Sequence, residues 1–356
     1  MLPKYNMPGK KELKKQPKHK KWVKILSIVG GVIAGVIALD LFLNHVVFQP
    51  VSNPVYGASF SVDQSRLYGL DWKANYLALL DDLKFKHLRL TSYWSDIEPV
   101  RGQFDFADLD WQMDQAAKRG VKVSLSIGLR QPRWPECHPP TWAGQLSGNA
   151  WKQALYAYME LVIKRYKDSP ALDSYQLENE FLNNWFGICD PADRQRVIEE
   201  FNLVKQWDPK HPIEMTLSDE HGIPLGQPTP DSFGFTMYRI VYNTNFGPRG
   251  YALYPTSVWW HRLRAAIIYT IYHKPMAVDE LQMEPWGPGD NWYLSTDEQN
   301  KSMSVEQIGK MTDFARRSGF QRADFWGSEW WYWRKVNGDP SIWEAIRDQL
   351  KQQKDY

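Results

Sequence analysis

A (β/α)8 TIM barrel preceded by one transmembrane helix is the fold that this sequence predicts, and three observations support it. Short apolar segments alternate with amphipathic helical segments from residue 56 onward, as in parallel α/β folds. Eight such strands recur at roughly the spacing of a closed (β/α)8 barrel. A long apolar run lies near the N-terminus. A doubly wound sheet is the rival fold, but no Gly-x-Gly-x-x-Gly turn follows the first strand.

The predicted strands are short apolar segments, and the helices between them have apolar residues at helical spacing. The strands are Tyr56–Phe60, His87–Leu90, Val121–Ile127, Leu172–Leu177, Ile213–Leu217, Ser232–Met237, Met276–Leu281 and Ala323–Trp326. The helical segments include Leu109–Arg119, Trp151–Lys167, Asp193–Gln206, Trp259–His273 and Ser304–Ser318. Catalytic groups of such barrels come from the C-terminal ends of several strands, so the polar residues there are the candidates.

Charge is distributed unevenly along the chain. Residues 1–24 contain nine lysines and one acid, Glu12, a net charge of +8, whereas the whole chain is +2. The remaining residues therefore carry −6. Binding to nucleic acid needs a basic face, so the acidic body argues against a nucleic-acid partner.

The segment 25–48 is predicted to be a membrane anchor. Its apolar run is long enough for a helix to cross the hydrocarbon core. A cleaved signal peptide is disfavoured, because the run is long and no small-x-small site precedes Pro50. Lysines before the helix place the N-terminus in the cytoplasm. We therefore expect a basic cytoplasmic tail (1–24), an anchor in the lipid bilayer (25–48), a linker (49–55) and an extracytoplasmic catalytic domain (56–356).

The chain has two cysteines, Cys137 and Cys189. No Cys-x-x-Cys spacing is present, which argues against a structural zinc site. Outside the cytoplasm the two thiols could form one disulfide. The sequence does not decide between a disulfide and two unpaired thiols. Neither a metal nor a cofactor is expected, since His-Glu-x-x-His, Gly-x-Ser-x-Gly and Walker motifs are all missing.

Two strand ends carry the carboxylates that glycoside cleavage needs, one to donate a proton and one to stay ionised. The fourth predicted strand runs into Glu178-Asn179-Glu180, and the seventh into Asp279-Glu280. These strands face each other across the mouth of a barrel. Period-two alternation places Glu178 in phase with Glu180 but deeper in the barrel, where we expect a buried ion pair. The same alternation points Asp279 away from the face of Glu280, and Glu284 lies a loop further on.

Several motifs resemble those of clan A glycoside hydrolases, from about Gly57 to Trp333. The motif residues are Arg89, Trp94-Ser95, Glu98-Pro99, Gly102-Gln-Phe-Asp-Phe106, Leu109-Asp110, Asn179-Glu180, Glu280-Leu281 and Trp326. The resemblance implies a retaining mechanism with Glu180 as general acid/base and Glu280 as nucleophile. It also implies that Asn179 contacts the sugar 2-hydroxyl and that Trp326 lies under the sugar. The chain departs from the pattern where clan members often carry His on the third and sixth strands, so no single family is assigned.

The remaining substrate-contact candidates are Arg89, Trp94, Tyr238 and Trp286. Arg89 is expected to keep the nucleophile ionised and Tyr238 to hydrogen-bond it. Aromatic faces bind the apolar side of a pyranose ring, and tryptophan is frequent near the predicted strand ends. These tryptophans are Trp94, Trp134, Trp142, Trp185, Trp286, Trp292, Trp326, Trp330, Trp331 and Trp333.

The sequence thus predicts a membrane-anchored, extracytoplasmic retaining β-glycosidase that acts on an oligo- or polysaccharide or a glycoconjugate. Two alternatives stay open. A non-catalytic glycan-binding barrel could use the same fold, because a fold does not fix a function. A transglycosylase could use the same carboxylate pair.

Overall fold

The structure is a computed structural model that describes residues 18–190, 192–219, 222–244, 249–254 and 256–352. The chain divides into two compact units, Met1–Val47 and Phe48–Tyr356. Of the predicted basic tail, residues 1–17 lie outside the described residues.

The first unit contains helix α1, Lys18–Phe42, followed by a π-helical turn, Leu43–Val47. Within α1, the segment Trp22–Phe42 has 21 residues and a mean hydropathy of 2.4. At about 1.5 Å of rise per residue, this segment is roughly as long as the hydrocarbon core is thick. It is a candidate membrane span by length and composition, and a signal sequence would meet the same criteria.

The second unit is built around a closed barrel of eight parallel strands, in the order β1-β10-β9-β6-β5-β4-β3-β2. The barrel strands are β1 (Val55–Phe60), β2 (His87–Thr91), β3 (Lys122–Ile127), β4 (Leu172–Leu177), β5 (Ile213–Leu217), β6 (Ser232–Met237), β9 (Met276–Gln282) and β10 (Arg322–Trp326). An antiparallel hairpin of β7 (Ile240–Asn243) and β8 (Gly250–Leu253) follows β6. The predicted (β/α)8 barrel is confirmed, and each barrel strand begins and ends within about one residue of its prediction.

Helices accompany the strands along the second unit. They are α2 (Val62–Leu67), α3 (Trp72–Asp81), α4 (Trp94–Ile97), α5 (Ala107–Lys118), α6 (Gly148–Tyr166), α7 (Arg194–Trp207), α8 (Val258–Tyr272), α9 (Thr296–Asn300), α10 (Val305–Ser318), α11 (Ser328–Val336) and α12 (Ser341–Lys351). Two 3₁₀ turns, Thr141–Gln145 and Asn291–Tyr293, lie in loops. Side-chain caps explain where several helices begin: Asp193 accepts hydrogen bonds from the first turn of α7, as Ser304 does for α10.

The interior of the barrel is polar, because alternate positions of its strands carry polar side chains while the others pack outward against helices. On β2, Leu88 and Leu90 are fully buried in the hydrophobic core. Arg89 lies between them and bonds to Gln176 of β4. This alternation follows from the two-residue period of a strand. Charged side chains can therefore line the inner face of the barrel near the C-terminal ends of the strands.

Candidate active site

An extra residue in β9 decides which carboxylates face the barrel interior. Neighbouring residues Phe235 and Thr236 of β6 pair with Val278 and Glu280, so β9 bulges at Asp279. Both Asp279 and Glu280 then face inward, and the prediction that Asp279 points to the opposite face is wrong. Simple alternation fails here because a bulge resets the phase of every residue beyond it.

Asp279 and Glu280 nevertheless meet different partners. Asp279 is completely buried and accepts a hydrogen bond from Arg322 at 2.7 Å. Its carboxylate occupies the space beside Gly234, where a Cβ atom would lie 1.7 Å from Oδ2. Burial raises the pKa of Asp279 well above its ordinary value. Asp279 therefore belongs to the packed interior of the barrel.

Glu280 receives one hydrogen bond on each carboxylate oxygen. Arg89 donates from Nη1 to Oε1 at 2.9 Å, and the Tyr238 hydroxyl donates to Oε2 at 2.7 Å. Burial and the nearby Glu280 charge raise the pKa of Tyr238 well above its ordinary value, so the phenol keeps its proton. A carboxylate has only acceptors, and both donors are in place. The structure thus brings together Glu280, Arg89 and Tyr238, as the sequence predicts.

Glu180 lies at the same end of the barrel. Its backbone N–H donates to Thr216 of β5 at 2.6 Å, and its Oε1 accepts from Thr236 of β6 at 3.0 Å. Thr236 is also the strand partner of Glu280. The charges of both Glu280 and Glu180 raise the pKa of Tyr238. Two carboxylates from β4 and β9 therefore converge on one region of the mouth.

Asn179 connects the two halves of this region. Its Oδ1 accepts from Arg89 Nη2 at 2.6 Å, and Gln176 and Thr216 also donate to it. Its Nδ2 donates to Glu136 Oε2 at 2.9 Å. With Oδ1 and Nδ2 both engaged, the amide is held in one orientation. Whether it contacts a sugar hydroxyl stays a prediction.

Glu178 makes the buried ion pair that the sequence predicts, but outside the barrel. Both carboxylate oxygens accept from Arg196 of α7, at 3.1 and 3.2 Å. Leu129 N–H donates to Oε1 at 2.7 Å. The chain leaves the strand after Leu177, and Glu178 has a φ of 55°. This left-handed residue ends the alternation that would have placed Glu178 deeper in the barrel.

Glu136, in the loop after β3, is a site carboxyl that the sequence analysis did not find. It is 7% exposed, accepts the hydrogen bond from Asn179, and lies 3.7 Å from an Arg130 nitrogen. Burial is the main cause that raises its pKa to about 8. No strand-end pattern points to Glu136, since it follows the strand by nine residues. Its neighbour Cys137 was the only available signal.

The loops after β3 and β4 are joined by a disulfide between Cys137 and Cys189. This resolves the open alternative in favour of a bond. Ile188 N–H also donates to the Pro135 carbonyl at 2.9 Å. The bond therefore fixes the loop that carries Glu136 against the loop that begins at Glu180.

The predicted substrate contact of Trp94 is wrong. Its ring is 1% exposed and packs against Trp142, Trp151 and Tyr158. Its Nε1 donates to Glu98 at 2.9 Å. The short helix α4 turns the ring into the core, away from the barrel mouth. The Trp-Ser…Glu-Pro motif is thus a packing motif in this chain.

The other tryptophans near the strand ends divide into core and surface residues. Trp330 and Trp331 lie on α11 and are completely buried. Trp286 is 47% exposed and stands perpendicular to the Tyr238 ring, with centroids 5.3 Å apart. Trp134 and Trp185 are 67% and 77% exposed on the disulfide-linked loops. Sugar binding by Trp286 remains a prediction that its position near Tyr238 allows.

Trp326 is covered on one face. It is 7% exposed, and the Arg133 guanidinium lies 4.0 Å from its ring centroid. Arg133 also pairs with Glu284 at 2.5 Å and with Glu329 at 2.6 Å. A sugar can stack on Trp326 only where Arg133 leaves the ring free. The role predicted for Trp326 therefore depends on Arg133, which the sequence analysis did not consider.

Comparisons with known proteins show a partial likeness to β-galactosidases. A β-galactosidase family model matches residues 71–196. A β-galactosidase of Clostridium perfringens is 24% identical over 232 residues, which are 54% of this chain and 32% of that protein. Across five curated β-galactosidases, this chain covers between 15% and 32% of their length. The sequence likeness is therefore partial.

Solved structures show the same fold over most of the chain. An endo-β-1,4-xylanase from Gloeophyllum trabeum has a TM-score of 0.56 at 14% identity, covering 85% of this chain and 99% of that one. An exo-β-1,4-mannosidase from an Opitutaceae bacterium has a TM-score of 0.58 at 14% identity, covering 84% and 60%. The chain thus shares the (β/α)8 barrel fold of these enzymes, which include one endo-acting and one exo-acting glycosidase.

Proposed function

We propose that this protein is a retaining β-glycosidase in which Glu280 attacks the anomeric carbon and Glu180 protonates the leaving group. The observation that carries the proposal is the paired geometry at the barrel mouth. Glu280 accepts hydrogen bonds from Arg89 and Tyr238. Glu180 follows β4 and accepts a hydrogen bond from Thr236, the strand partner of Glu280. After the first step, Glu180 acts as a base toward the water that releases the sugar.

The roles of the two carboxylates can be separated by leaving-group dependence. Glu280→Gln is expected to abolish hydrolysis of every aryl glycoside, because no nucleophile remains. Glu180→Gln is expected to slow release of poor leaving groups by roughly 10²–10⁴-fold. Its glycosyl-enzyme should still form from a 2,4-dinitrophenyl glycoside, because that leaving group needs no proton.

The matched control is Glu199→Gln, a partly exposed carboxylate on α7 that bonds to Lys152 and Tyr156. It should retain the wild-type rate. Wild-type rates in both the Glu180 and the Glu280 variants would refute the assignment. Proton NMR of the first product anomer tests retention separately: a β-anomer supports the double displacement, and an α-anomer contradicts it.

We further propose that α1 anchors the enzyme in a membrane with the barrel outside the cytoplasm. The support is the apolar segment Trp22–Phe42 with nine lysines in residues 1–24. The disulfide Cys137–Cys189 is consistent with an oxidising compartment. The substrate would then be an extracytoplasmic oligo- or polysaccharide.

A further inference from the structure

We propose that the site accepts a single sugar on the non-reducing side of the cleaved bond, and that Arg133 forms the wall that excludes a second one. The enzyme would therefore remove one sugar at a time from chain ends. This inference rests on the proposed β-glycosidase function and adds its mode of action.

The strand order gives the direction in which the substrate runs. Glu180 protonates the leaving group, so the leaving group lies beside β4. In the closed order β1-β10-β9-β6-β5-β4-β3-β2, the strand opposite β4 is β10. A sugar chain held over Glu280 of β9 would extend from the β4 side toward β10 and β1. Any additional non-reducing sugar must find room there.

Arg133 occupies that side. Its loop starts at β3, and its guanidinium reaches Glu284 after β9 and Glu329 after β10. The guanidinium also covers Trp326 at the end of β10. Arg133 has a φ of 83°, a left-handed conformation that the surrounding loop must hold. One side chain thus spans the gap between three strand ends.

The contacts behind Arg133 fix this wall in place. Glu329 is completely buried, and its second oxygen accepts from Ser61 N–H, just after β1, at 2.6 Å. The Tyr93 hydroxyl donates to the Pro132 carbonyl at 2.6 Å, which holds the loop beside β2. Burial of two ion pairs that share one guanidinium makes removal of a single partner costly. The wall is therefore a built structure, with Glu329 held by the backbone after β1 and the loop of Arg133 held by Tyr93.

Little space remains between Arg133 and the nucleophile's own arginine. The cavity there has a volume of about 10 Å³. Its lining residues are Ser59, Phe60, Ser61, Arg89, Thr91, Pro132, Arg133 and Trp326. A cavity of this size is at the limit for one water molecule and cannot admit a pyranose ring. The closed region thus begins beside Arg89, which binds Glu280 directly.

The leaving-group side is built differently. The loop that begins at Glu180 carries Trp185 and Ile188, which are 77% and 68% exposed. The disulfide-linked loop after β3 adds Trp134, which is 67% exposed. Exposed aromatic faces on the loop that begins at the proton donor, and on the loop bonded to it, suit a leaving group larger than one sugar. The contrast between an open side and a closed side is what favours release of single sugars.

Product analysis on the full-length protein in detergent tests the inference. The substrates are 4-nitrophenyl β-glycosides of galactose, glucose, mannose and xylose, each as a monosaccharide and as a β-1,4-linked disaccharide. From a cleaved disaccharide substrate, the wild type should release a monosaccharide first, and nitrophenol should appear only after a lag. Release of intact disaccharide with nitrophenol from the start would overturn the inference while leaving the glycosidase function intact. Absence of hydrolysis in both series would refute the proposed function and this inference with it.

Arg133→Ala tests the wall itself. The variant is expected to raise the ratio of disaccharide to monosaccharide first product by roughly tenfold or more, because the barrier to a second sugar is removed. The matched control is Arg165→Ala, since Arg165 also stacks on an aromatic ring (Phe106, 4.6 Å) and pairs with a carboxylate (Asp110, 2.6 Å), but on the outer helices. An unchanged product ratio in folded Arg133→Ala would refute the role of Arg133. If that variant does not fold, the wild-type product pattern still decides the mode of action.

Discussion

At the scale of single residues, hydrogen-bond partners decide which carboxyl can do which chemistry. Glu178 is neutralised by Arg196, and Asp279 is paired with Arg322 inside the barrel. Glu280 is also buried, but each of its carboxylate oxygens accepts from a different donor, one from Arg89 and the other from Tyr238. A buried carboxylate that pairs with an arginine in the barrel interior serves the structure. A carboxylate that accepts hydrogen bonds from an arginine and a phenol at the barrel mouth is positioned for the attack on the anomeric carbon that we propose.

Tyr238→Phe removes one of the two donors to Glu280 and leaves the ring in place. Hydrogen bonds to charged groups contribute about 1.5–3 kcal/mol, so kcat/KM should fall by roughly 10- to 150-fold. Steady-state kinetics on an aryl β-glycoside measures the loss. Tyr293→Phe is the control, because Tyr293 is 82% exposed. Equal kcat/KM values for the two variants would contradict a role for Tyr238 in holding the nucleophile.

Glu136→Gln is expected to change how stability depends on pH. Burial raises the pKa of Glu136 to about 8 in the folded protein, against 4.5 ordinarily. Between these values the folded protein holds a proton that the unfolded chain releases, so this residue's contribution to the free energy of unfolding falls as the pH rises. Glutamine has no proton to lose and escapes that fall.

Denaturant unfolding at pH 5 and pH 8 measures this difference. Between pH 5 and pH 8, the free energy of unfolding of the variant relative to that of the wild type should rise by up to roughly 4 kcal/mol, at about 1.4 kcal/mol per pKa unit. Glu344→Gln on α12 serves as the control for a carboxylate without such burial. If the difference in free energy of unfolding between Glu136→Gln and the wild type is the same at both pH values, Glu136 is ionised in the folded protein.

Residue-level prediction from sequence succeeded where one strand end determines a side chain's position and failed where the backbone leaves regular geometry. Glu280 and Tyr238 follow directly from strand ends. The β9 bulge at Asp279 and the left-handed Glu178 both break the alternation, and neither has a signature in a single sequence. Glu136 lies on an irregular loop, and strand periodicity carries no information about such positions.

At the scale of elements, two residues of the proposed site lie in loops and not in helices or strands. The loop after β3 contains Glu136, and the loop after β4 begins at Glu180. Their covalent link, Cys137–Cys189, encloses a sequence separation of 52 residues. The bond can therefore act on both stability and catalysis.

The double replacement of Cys137 and Cys189 by serine tests this link. In the chain-entropy model, a loop of this length stabilises the fold by about 4 kcal/mol, so the denaturation midpoint should drop. kcat/KM should also fall, because Glu136 and Glu180 lose their common support. Dithiothreitol should produce both effects in the wild type and neither in the variant. Full activity after verified reduction would show that the loops hold their positions without the bond.

The elements themselves were largely predictable, and the exceptions have a common cause. Barrel strands and the long helices follow hydrophobic periods of two and 3.6 residues. Helix α11, with the sequence Ser-Glu-Trp-Trp-Tyr-Trp-Arg-Lys-Val, has aromatic residues on several sides and is not among the helical segments named from the sequence. The hairpin of β7 and β8 is too short for a clear alternation. In both places the apolar residues follow neither period, so the sequence alone does not indicate the element.

At the scale of the whole molecule, the positive charge is concentrated in the N-terminal tail, whereas the proposed catalytic residues lie in the barrel. Nine lysines lie in residues 1–24, and the rest of the chain carries the net negative charge. An acidic body repels anionic lipid surfaces, whereas a lysine-rich tail is attracted to them, by about 1 kcal/mol per residue. The proposed topology places the tail on the anionic cytoplasmic face and the catalytic mouth on the other side.

The anchor is tested by where the protein and its disulfide are found in cells. The full-length chain should sediment with membranes and resist alkaline carbonate, whereas a chain starting at Phe48, where the second compact unit begins, should stay in the supernatant.

Thiol alkylation before lysis should find Cys137 and Cys189 oxidised in the full-length protein, since cytosolic thiols are kept reduced. Once its disulfide has been formed by oxidation, the shorter chain should hydrolyse an aryl glycoside with a kcat/KM similar to that of the full-length chain, because the barrel contains every proposed catalytic group. If cells that express the full-length chain instead release a soluble product cleaved near Pro50, the apolar helix is a signal peptide. Reduced thiols in a membrane-bound chain would instead place the barrel in the cytoplasm.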